Sequence, residues 1–322
     1  MGVHRGWRGL IDNEMERMNA RSVAGIVKLG GTVLRSSRCP EFREPEAREK
    51  AASHLLERGI DGLVVIGGDG SLNGASELAR QTNLPLIGIP KTIDNDVGGT
   101  DYALGFDTAV NTAVEAIDKI RDTATSHERL FLVEVMGRNA GWLALHSGIA
   151  SGSDVILLPE IPFDIEDVCH TVETRAQRKH GFTIVCCSEG AKPKGGKQIV
   201  DRVIESSPDP VRLGGVGKFV ADQIEEKTGI ESRAVVLGHV QRGGVPVAAD
   251  RVLATQFGHA AMKLLRMGIK NRLVVMRNGL LDHVEITSAA DKQRLIEPDN
   301  DPLVEAARSV YTCFGDWKTK IV

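Results

Sequence analysis

Short apolar runs alternate with longer segments of helical periodicity along most of this 322-residue chain. In residues 105–122, for example, Ala109, Ala113, Ile117 and Ile120 recur at helical spacing and predict one buried stripe. Repeated alternation of this kind indicates an α/β fold in which mainly parallel sheets carry helices on both faces. The predicted strands are 62–66, 85–89, 130–135, 154–158, 182–187, 234–238 and 272–276. The predicted helices are 45–58, 71–81, 105–122, 140–149, 164–180, 215–228, 247–267 and 301–312.

The bulk composition excludes several classes of protein. A hydrophobic content of 42% and a charged content of 26% are ordinary for a globular chain long enough for two domains. The net charge of −3 argues against a nucleic-acid-binding protein, which usually carries a basic surplus. No apolar run is long enough to cross a bilayer and no signal peptide is visible, so we expect a cytoplasmic protein without membrane contacts. The five cysteines lack metal-ligand spacing and are expected to be reduced.

A glycine-rich motif, Gly67-Gly68-Asp69-Gly70-Ser71, follows the predicted strand 62–66 and precedes a predicted helix. Glycines allow backbone N–H groups to approach an anion closely, and the N-terminus of the helix adds partial positive charge. Asp69 is a candidate ligand for a magnesium ion that bridges phosphate oxygens. The structural alternative is a tight turn with Ser71 as the helix cap. The motif matches neither a Walker A loop nor a dinucleotide fingerprint, and kinases of lipids and of NAD carry a similar element.

The predicted strand 85–89 runs into Pro90-Lys91-Thr92-Ile93-Asp94-Asn95-Asp96. In parallel α/β folds, ligands bind at the carboxyl ends of strands, which is where this cluster lies. Asp94 or Asp96 could accept the proton of a sugar hydroxyl during phosphoryl transfer. The alternative interpretation is a pair of aspartates that serve only to form turns and caps.

Further candidates flank three other predicted strands. Arginine forks suit phosphate recognition, although a single surface arginine is more often solvated, and a lone histidine is more often structural. A glutamate at a strand end can bind sugar hydroxyls or simply face solvent. These candidates are Arg129, Met136, Gly137, Arg138, Glu189, Arg233, His239 and Arg242.

Taken in order, these motifs resemble those of the 6-phosphofructokinase family. Residues 38–42, Arg-Cys-Pro-Glu-Phe, and residues 99–102, Gly-Thr-Asp-Tyr, extend the resemblance over nearly the whole chain. The resemblance implies two doubly wound Rossmann-like domains with the active site in the cleft between them. A donor-binding domain would comprise 1–105 plus 241–290, and a sugar-phosphate domain 106–240 plus 291–322.

The resemblance also implies roles for the motif residues. Asp94 is expected to be the base for the C1 hydroxyl of fructose 6-phosphate, with Thr92 and Arg38 steadying the phosphoryl group. Arg129 and Arg233 match arginines that a neighbouring subunit supplies, which implies a homo-oligomer, usually a tetramer. The expected donor site, with Mg²⁺ on Asp69, comprises Gly68, Asp69, Gly70, Ser71 and Lys91. The expected sugar-phosphate contacts are Thr92, Asp94, Asp96, Met136, Gly137, Arg138, Glu189, His239 and Arg242, with the two arginines of the neighbour.

Two residues point to different phosphoryl donors. In the family, glycine at the position of Gly70 accompanies ATP, whereas lysine at the position of Lys91 accompanies pyrophosphate. This pair resembles a subgroup that contains both kinds of enzyme. A side chain can exclude a nucleotide, while an added cation only assists a small anion, so we expect ATP; pyrophosphate with a reversible reaction is the alternative.

The resemblance begins only near residues 6–10. It implies that the family's first strand and its Gly-Gly-Asp-x-Pro-Gly loop are missing from this sequence, about 30 residues or one βαβ unit. We therefore expect impaired donor binding, and a catalytically impaired or regulatory relative is an alternative function. A lipid or NAD kinase is disfavoured, because neither explains the clusters at 90–96 and 239–244.

Overall fold

The computed structural model describes residues 1–127, 129–177, 181–203, 211–290 and 292–316. The chain divides into two compact units, each built from two separate stretches of sequence. The first unit comprises Met1–Thr108 and Arg242–Arg294, and the second comprises Ala109–Gln241 and Leu295–Val322. No helix in the described part of the chain combines the length and apolar character that a membrane span requires.

Helices and strands alternate through both units. The strands are β1 (Gly2–Val3), β2 (Met15–Glu16), β3 (Leu63–Gly67), β4 (Leu86–Pro90), β5 (Leu130–Val135), β6 (Val155–Leu157), β7 (Thr183–Ser188), β8 (Val200–Val203), β9 (Val211–Leu213), β10 (Ser232–Val236), β11 (Arg272–Arg277) and β12 (Leu280–Glu285). The α-helices are α1 (Trp7–Ile11), α2 (Pro45–Glu57), α3 (Asp69–Gln81), α4 (Phe106–His127), α5 (Trp142–Ala150), α6 (Ile165–Ala176), α7 (Val216–Thr228), α8 (Ala248–Arg266), α9 (Ile286–Ala290) and α10 (Pro302–Ser309).

The first unit is built on a four-stranded sheet in the order β12-β11-β4-β3. β3, β4 and β11 are parallel, and β12 pairs antiparallel with β11. Along β4, Ile87 and Ile89 pack with α8, whereas Leu86 packs with α2 and α3. Because successive side chains of a strand point to opposite faces, this all-apolar strand is buried between two helical layers.

The second unit is built on a fully parallel sheet in the order β10-β5-β7-β6. β5 and β7 are its central strands, and their register pairs Val135 with Ser188. Leu130, Leu132 and Val185 pack with residues of α6 and α7 in one buried cluster. The sheet therefore presents the ends of β5 and β7 next to each other, where each strand passes into a loop.

The α/β fold with mainly parallel sheets is confirmed. The seven predicted strands are present, 130–135 with the predicted bounds and the other six with one or both ends shifted. The antiparallel strand β12 was not predicted, although Asn278 and Gly279, at φ 50° and 76°, provide the usual hairpin signal. The hairpin β8–β9 was also missed, because the sequence before it, residues 190–199, is rich in glycine and lysine and shows no strand pattern. The predicted helix 164–180 ends at Ala176, and residues 178–180 of that prediction lie outside the described residues.

Candidate active site

The glycine-rich motif forms the passage from β3 into α3. The helix begins at Asp69 with Gly68 at its N-cap position, so the positive end of α3 lies at these residues. Ser71 lies inside the first turn, and the alternative in which it caps the helix is therefore wrong. A Cβ at Gly67 would lie 2.4 Å from the Cβ of Ser71, so this tight turn requires glycine.

The surroundings of Gly70 and Asp69 differ. Apart from Gly70, its two chain neighbours and the adjacent backbone of α3, no atom of the described residues lies within 4 Å of the position that a Cβ would take at Gly70. Asn73, one helical turn after Asp69, places its Nδ2 3.4 Å from Asp69 Oδ1. Sequence reasoning passed over Asn73, although the i, i+4 spacing puts it on the same helix face as Asp69.

The cluster after β4 lies beside this glycine-rich loop. Gly67 and Pro90 are partners in the parallel pair β3–β4, and Lys91 N–H donates to Gly67 O at 2.9 Å. A Cβ at Gly68 would lie 3.4 Å from the Cβ of Thr92. The two motifs, about 20 residues apart in sequence, are therefore adjacent at the carboxyl ends of neighbouring strands.

Asp94 and Asp96 lie in the same loop and are both partly buried. Thr92 Oγ1 accepts a hydrogen bond from Asp94 N–H at 3.2 Å, which shapes the start of the loop. Burial raises the pKa of Asp94, and the positive charge of Arg242 opposes that rise. Burial, followed by the charge of Asp94, raises the pKa of Asp96 to about 6. The loop thus holds two coupled carboxylates with elevated proton affinity.

Arg38 is exposed and belongs to the first unit as well. The segment after it, the 3₁₀ helix Pro40–Arg43, is held by Arg48, which is only 6% exposed. Arg48 Nη1 donates to Phe42 O at 2.9 Å and to Arg43 O at 2.6 Å. Arg48 was missed as a supporting residue because an arginine in an amphipathic helix normally indicates a solvated side chain.

In the second unit, Met136, Gly137 and Arg138 follow β5, and Glu189 follows the neighbouring strand β7. Glu189 N–H donates to Val135 O at 2.8 Å, which joins the two strand ends. A Cβ at Gly190 would lie 1.9 Å from Arg138 O, so the two loops are in backbone contact. Arg138 and Glu189 are therefore brought together at one edge of the sheet.

Two polar side chains hold this pair of loops. Ser188 Oγ donates to Gly137 O, and Gln198 Nε2 donates to Arg138 O at 2.9 Å and to Gly190 O at 3.1 Å. Gln198 lies in a segment that the sequence presented only as a polar loop, so no signal marked it as a supporting residue.

Arg129 and Arg233 lie at the amino-terminal ends of strands in the same sheet, opposite the strand ends that carry Arg138 and Glu189. Arg129 precedes β5 and Arg233 is the second residue of β10, and both form ion pairs with Glu231. Since β5 has six residues, its two ends are about 20 Å apart. The two arginines are thus separated from Arg138 within one chain.

His239 and Arg242 lie in a 3₁₀ helix, Gly238–Arg242, and both side chains are exposed. Of the two, Arg242 acts electrostatically on Asp94 in the first unit.

The profile of the family described as phosphofructokinase matches residues 1–265. The chain belongs to the phosphofructokinase family. An ATP-dependent 6-phosphofructokinase of Halothermothrix orenii is 46% identical over 299 residues, which cover 93% of this chain and 87% of the relative. A pyrophosphate–fructose 6-phosphate 1-phosphotransferase of Amycolatopsis methanolica is 44% identical with the same coverage of both chains.

Solved structures agree with this family. Phosphofructokinase from Saccharomyces cerevisiae matches with a TM-score of 0.79 and 31% identity over 89% of this chain. The present chain spans 40% of the length of that yeast chain. A pyrophosphate-dependent phosphofructokinase from Marinobacter aquaeolei, at 20% identity, matches all of this chain and 88% of its own with a TM-score of 0.78, which shows the shared fold. The family that the sequence motifs predicted is confirmed.

Proposed function

We propose that this chain transfers the terminal phosphoryl group of ATP to the C1 hydroxyl of fructose 6-phosphate, giving fructose 1,6-bisphosphate for glycolysis. The observation that carries this proposal is the adjacency of two loops in the first unit. The glycine-rich loop at the N-terminus of α3 suits a phosphate chain, and the loop beside it carries Asp94. A phosphate-binding element next to a buried carboxylate is what phosphoryl transfer to a hydroxyl requires.

Asp94 is the proposed general base. Its burial raises its pKa, which makes the carboxylate a better proton acceptor, and the charge of Arg242 opposes that rise and so favours the ionised form. Thr92 and Arg38 are proposed to steady the phosphoryl group in transfer, and the charge of Lys91 supports the donor phosphates. Most of the rate enhancement would come from positioning and charge neutralisation.

Family membership implies a divalent metal ion, and we propose Mg²⁺ on Asp69. The described residues contain no group of three acidic, His or Cys side chains that could hold a metal by themselves. Magnesium is usually bound by one or two carboxylates together with substrate phosphates, so Asp69 at the phosphate-binding turn fits this ion. When bound, the ion would neutralise the negative charge of the phosphates.

Fructose 6-phosphate is proposed to bind Met136, Gly137, Arg138, Glu189, His239 and Arg242. Arg138 offers a planar fork for the 6-phosphate and Glu189 an acceptor for sugar hydroxyls. The contact of Gly190 with Arg138 O and the bonds from Gln198 support this assignment, because they fix the backbone from which both side chains extend.

ATP is the proposed donor because the space above Gly70 is open. A side chain at this position would fill that space. Because glycine has none, the space stays open, which favours a nucleotide as the donor. The variant Gly70→Asp is expected to raise the KM for ATP at least tenfold. If the chain also uses pyrophosphate, the KM for pyrophosphate should stay unchanged. An unchanged KM for ATP would contradict the assignment of this space to the nucleotide.

We propose a homo-oligomer, which the positions of Arg129 and Arg233 support, with the tetramer usual in the family as its proposed form. They lie about 20 Å from Arg138 along β5, too far to bind the same phosphate within one chain. We propose that they complete the site of a neighbouring subunit in a cytoplasmic enzyme.

The deciding experiment is a coupled assay of the purified chain with fructose 6-phosphate, Mg²⁺ and either ATP or pyrophosphate. Formation of fructose 1,6-bisphosphate with ATP supports the proposal, and the loss of turnover on chelation with EDTA tests the metal. Turnover with pyrophosphate alone would reassign the donor. No turnover with either donor would favour the catalytically impaired relative.

A further inference from the structure

Residues 91–104, which follow β4, form the 91–104 loop. Within it, Asn95 lies between Asp94 and Asp96 and is unusual in both burial and backbone geometry. Its side chain is 2% exposed, and its φ of 52° places it in the left-handed region. Asparagine tolerates this region better than most residues with a Cβ. A left-handed residue reverses the local direction of the chain, so the conformation of Asn95 sets the directions in which Asp94 and Asp96 leave the backbone.

The carboxamide of Asn95 spans the loop from its first half to its second. Its Nδ2 donates to Asp101 O at 2.9 Å, and its Oδ1 accepts from Ala103 N–H at 2.8 Å. The base of the loop is closed by the hydrogen bond from Leu104 N–H to Pro90 O at 3.0 Å. One buried side chain therefore braces the whole loop that carries the proposed base.

A distant segment holds the same tripeptide from another side. Arg294 N–H donates to Asp96 O at 2.8 Å, and Arg294 Nη1 donates to Asn95 O at 3.4 Å. Gln293 Nε2 lies 3.4 Å from Asp96 Oδ2. Residues 292–294 thus restrain the backbone after Asn95, while the carboxamide restrains the backbone before residue 104.

We propose that Asn95 is a positioning residue for phosphoryl transfer, which aims Asp94 at the acceptor hydroxyl through its left-handed backbone and its two side-chain hydrogen bonds. The inference rests on the proposed function, since it needs Asp94 to be the base. Asn95 itself touches neither substrate. Its loss should slow the chemical step far more than it weakens the binding of either substrate. The turn at residues 68–71 and the sugar-phosphate residues of the second unit belong to other segments, and of the proposed contacts only Lys91, Thr92, Asp94 and Asp96 share the loop with Asn95.

The test compares two variants of the full chain by steady-state kinetics with fructose 6-phosphate and ATP. Asn95→Gly removes both hydrogen bonds but accepts the left-handed backbone, and Asn95→Ala also strains it. A misplacement of about 1 Å can cost about 100-fold in rate. We expect kcat to fall about 100-fold in Asn95→Gly and further in Asn95→Ala, with both KM values within about threefold of the parent.

Asn271 provides the matched control, because it has a similar φ of 55° and directly precedes β11, away from the 91–104 loop. Asn271→Gly and Asn271→Ala should keep the parental kcat, and thermal unfolding of all four variants shows which are folded at the assay temperature. The glycine variant, free of backbone strain, is the one that keeps the test valid if the alanine variant unfolds.

Each outcome bears on the proposal. A parental kcat in a folded Asn95→Gly would overturn the positioning role, as would a loss confined to KM. If the unmodified chain turns over and the Asn95 variants match it, the inference fails alone. If the unmodified chain does not turn over fructose 6-phosphate at all, the proposed function fails and the inference falls with it.

Discussion

At the scale of single residues, the 91–104 loop shows how two like side chains acquire different tasks. Burial raises the pKa of both carboxyl groups, but the charge of Arg242 opposes that rise at Asp94, whereas the charge of Asp94 adds to it at Asp96. The proposed base is therefore the carboxylate with a cationic neighbour. This difference depends on the three-dimensional path of the loop, so the residue types alone left Asp94 and Asp96 open, and only the family resemblance indicated Asp94.

Asp94→Asn should abolish most of the turnover. The amide keeps the shape of the side chain but cannot take up the proton, and general-base catalysis contributes about 100- to 10,000-fold. We expect kcat to fall by about 1,000-fold, with the KM for fructose 6-phosphate changed only severalfold. Retention of more than a tenth of the parental kcat would remove Asp94 as the base.

Asp96 should impose a pH dependence on stability. Its pKa of about 6 in the folded chain lies above the 3.8 of a free aspartate, so the folded state binds the proton more tightly than the unfolded state. Its contribution is favourable below pH 4 and is lost as the pH rises through about 6. Relative to the parent, Asp96→Asn should therefore become more stable as the pH rises from 4 to 7.

Thermal unfolding of the parent and of Asp96→Asn across this range measures the difference. The exposed Asp61, changed to Asn, serves as the control and should leave the pH dependence unaltered. A parallel pair of pH curves for the parent and Asp96→Asn would contradict the raised pKa.

At the scale of elements, loops at neighbouring strand ends are held by backbone contact. Gly190→Ala would place a Cβ 1.9 Å from Arg138 O, so the loops after β5 and β7 must separate. We expect a loss of about 1–3 kcal/mol in the free energy of unfolding and a raised KM for fructose 6-phosphate, with little change in the KM for ATP.

Gly258→Ala is the matched control for that variant. Gly258 lies within α8, and no atom of the described residues is within 4 Å of its Cβ position. Alanine there should stabilise the chain by up to about 1 kcal/mol through helix propensity. An unchanged KM and an unchanged melting temperature in Gly190→Ala would show that the loops adapt freely.

The helices and strands could be predicted from the sequence, whereas the contacts between loops could not. Hydrophobic periodicity located both β4 and α4. Burial of β4 on both faces leaves a continuous apolar run, and burial of one stripe of α4 leaves apolar residues at helical spacing. The order of the motifs along β3 and β4 was enough to expect a site at their ends. The brace by Asn95, the contact at Gly190 and the support from Gln198 depend on how loops fold back, which no local pattern records.

At the scale of the whole molecule, the proposed oligomer places Arg233 in the site of a neighbouring subunit, because within one chain it lies at the opposite end of the sheet's strands from Arg138. Asp94→Asn and Arg233→Ala should each be nearly inactive when expressed alone. In a mixed dimer, the subunit with Arg233→Ala keeps its own Asp94 and receives the partner's Arg233. One of the two sites of such a mixed dimer is then complete, so the purified hybrid should regain about half of the parental activity.

Co-expression of the two variants with different affinity tags, followed by an assay of the doubly purified hybrid, measures this recovery. A hybrid no more active than its parents would place Arg233 in the site of its own subunit or outside any site.

The division of each unit into two stretches of sequence has a consequence during translation. β4 is complete at residue 90, but its partner β11 begins only at residue 272. Ribosomes add about 5–20 residues per second, so the free edge of β4 waits on the order of 10–40 s for its partner. During that time, a strand that ends with all five residues buried exposes unpaired backbone and apolar side chains. Until β11 emerges, the nascent first unit therefore carries a free strand edge that can pair with another chain.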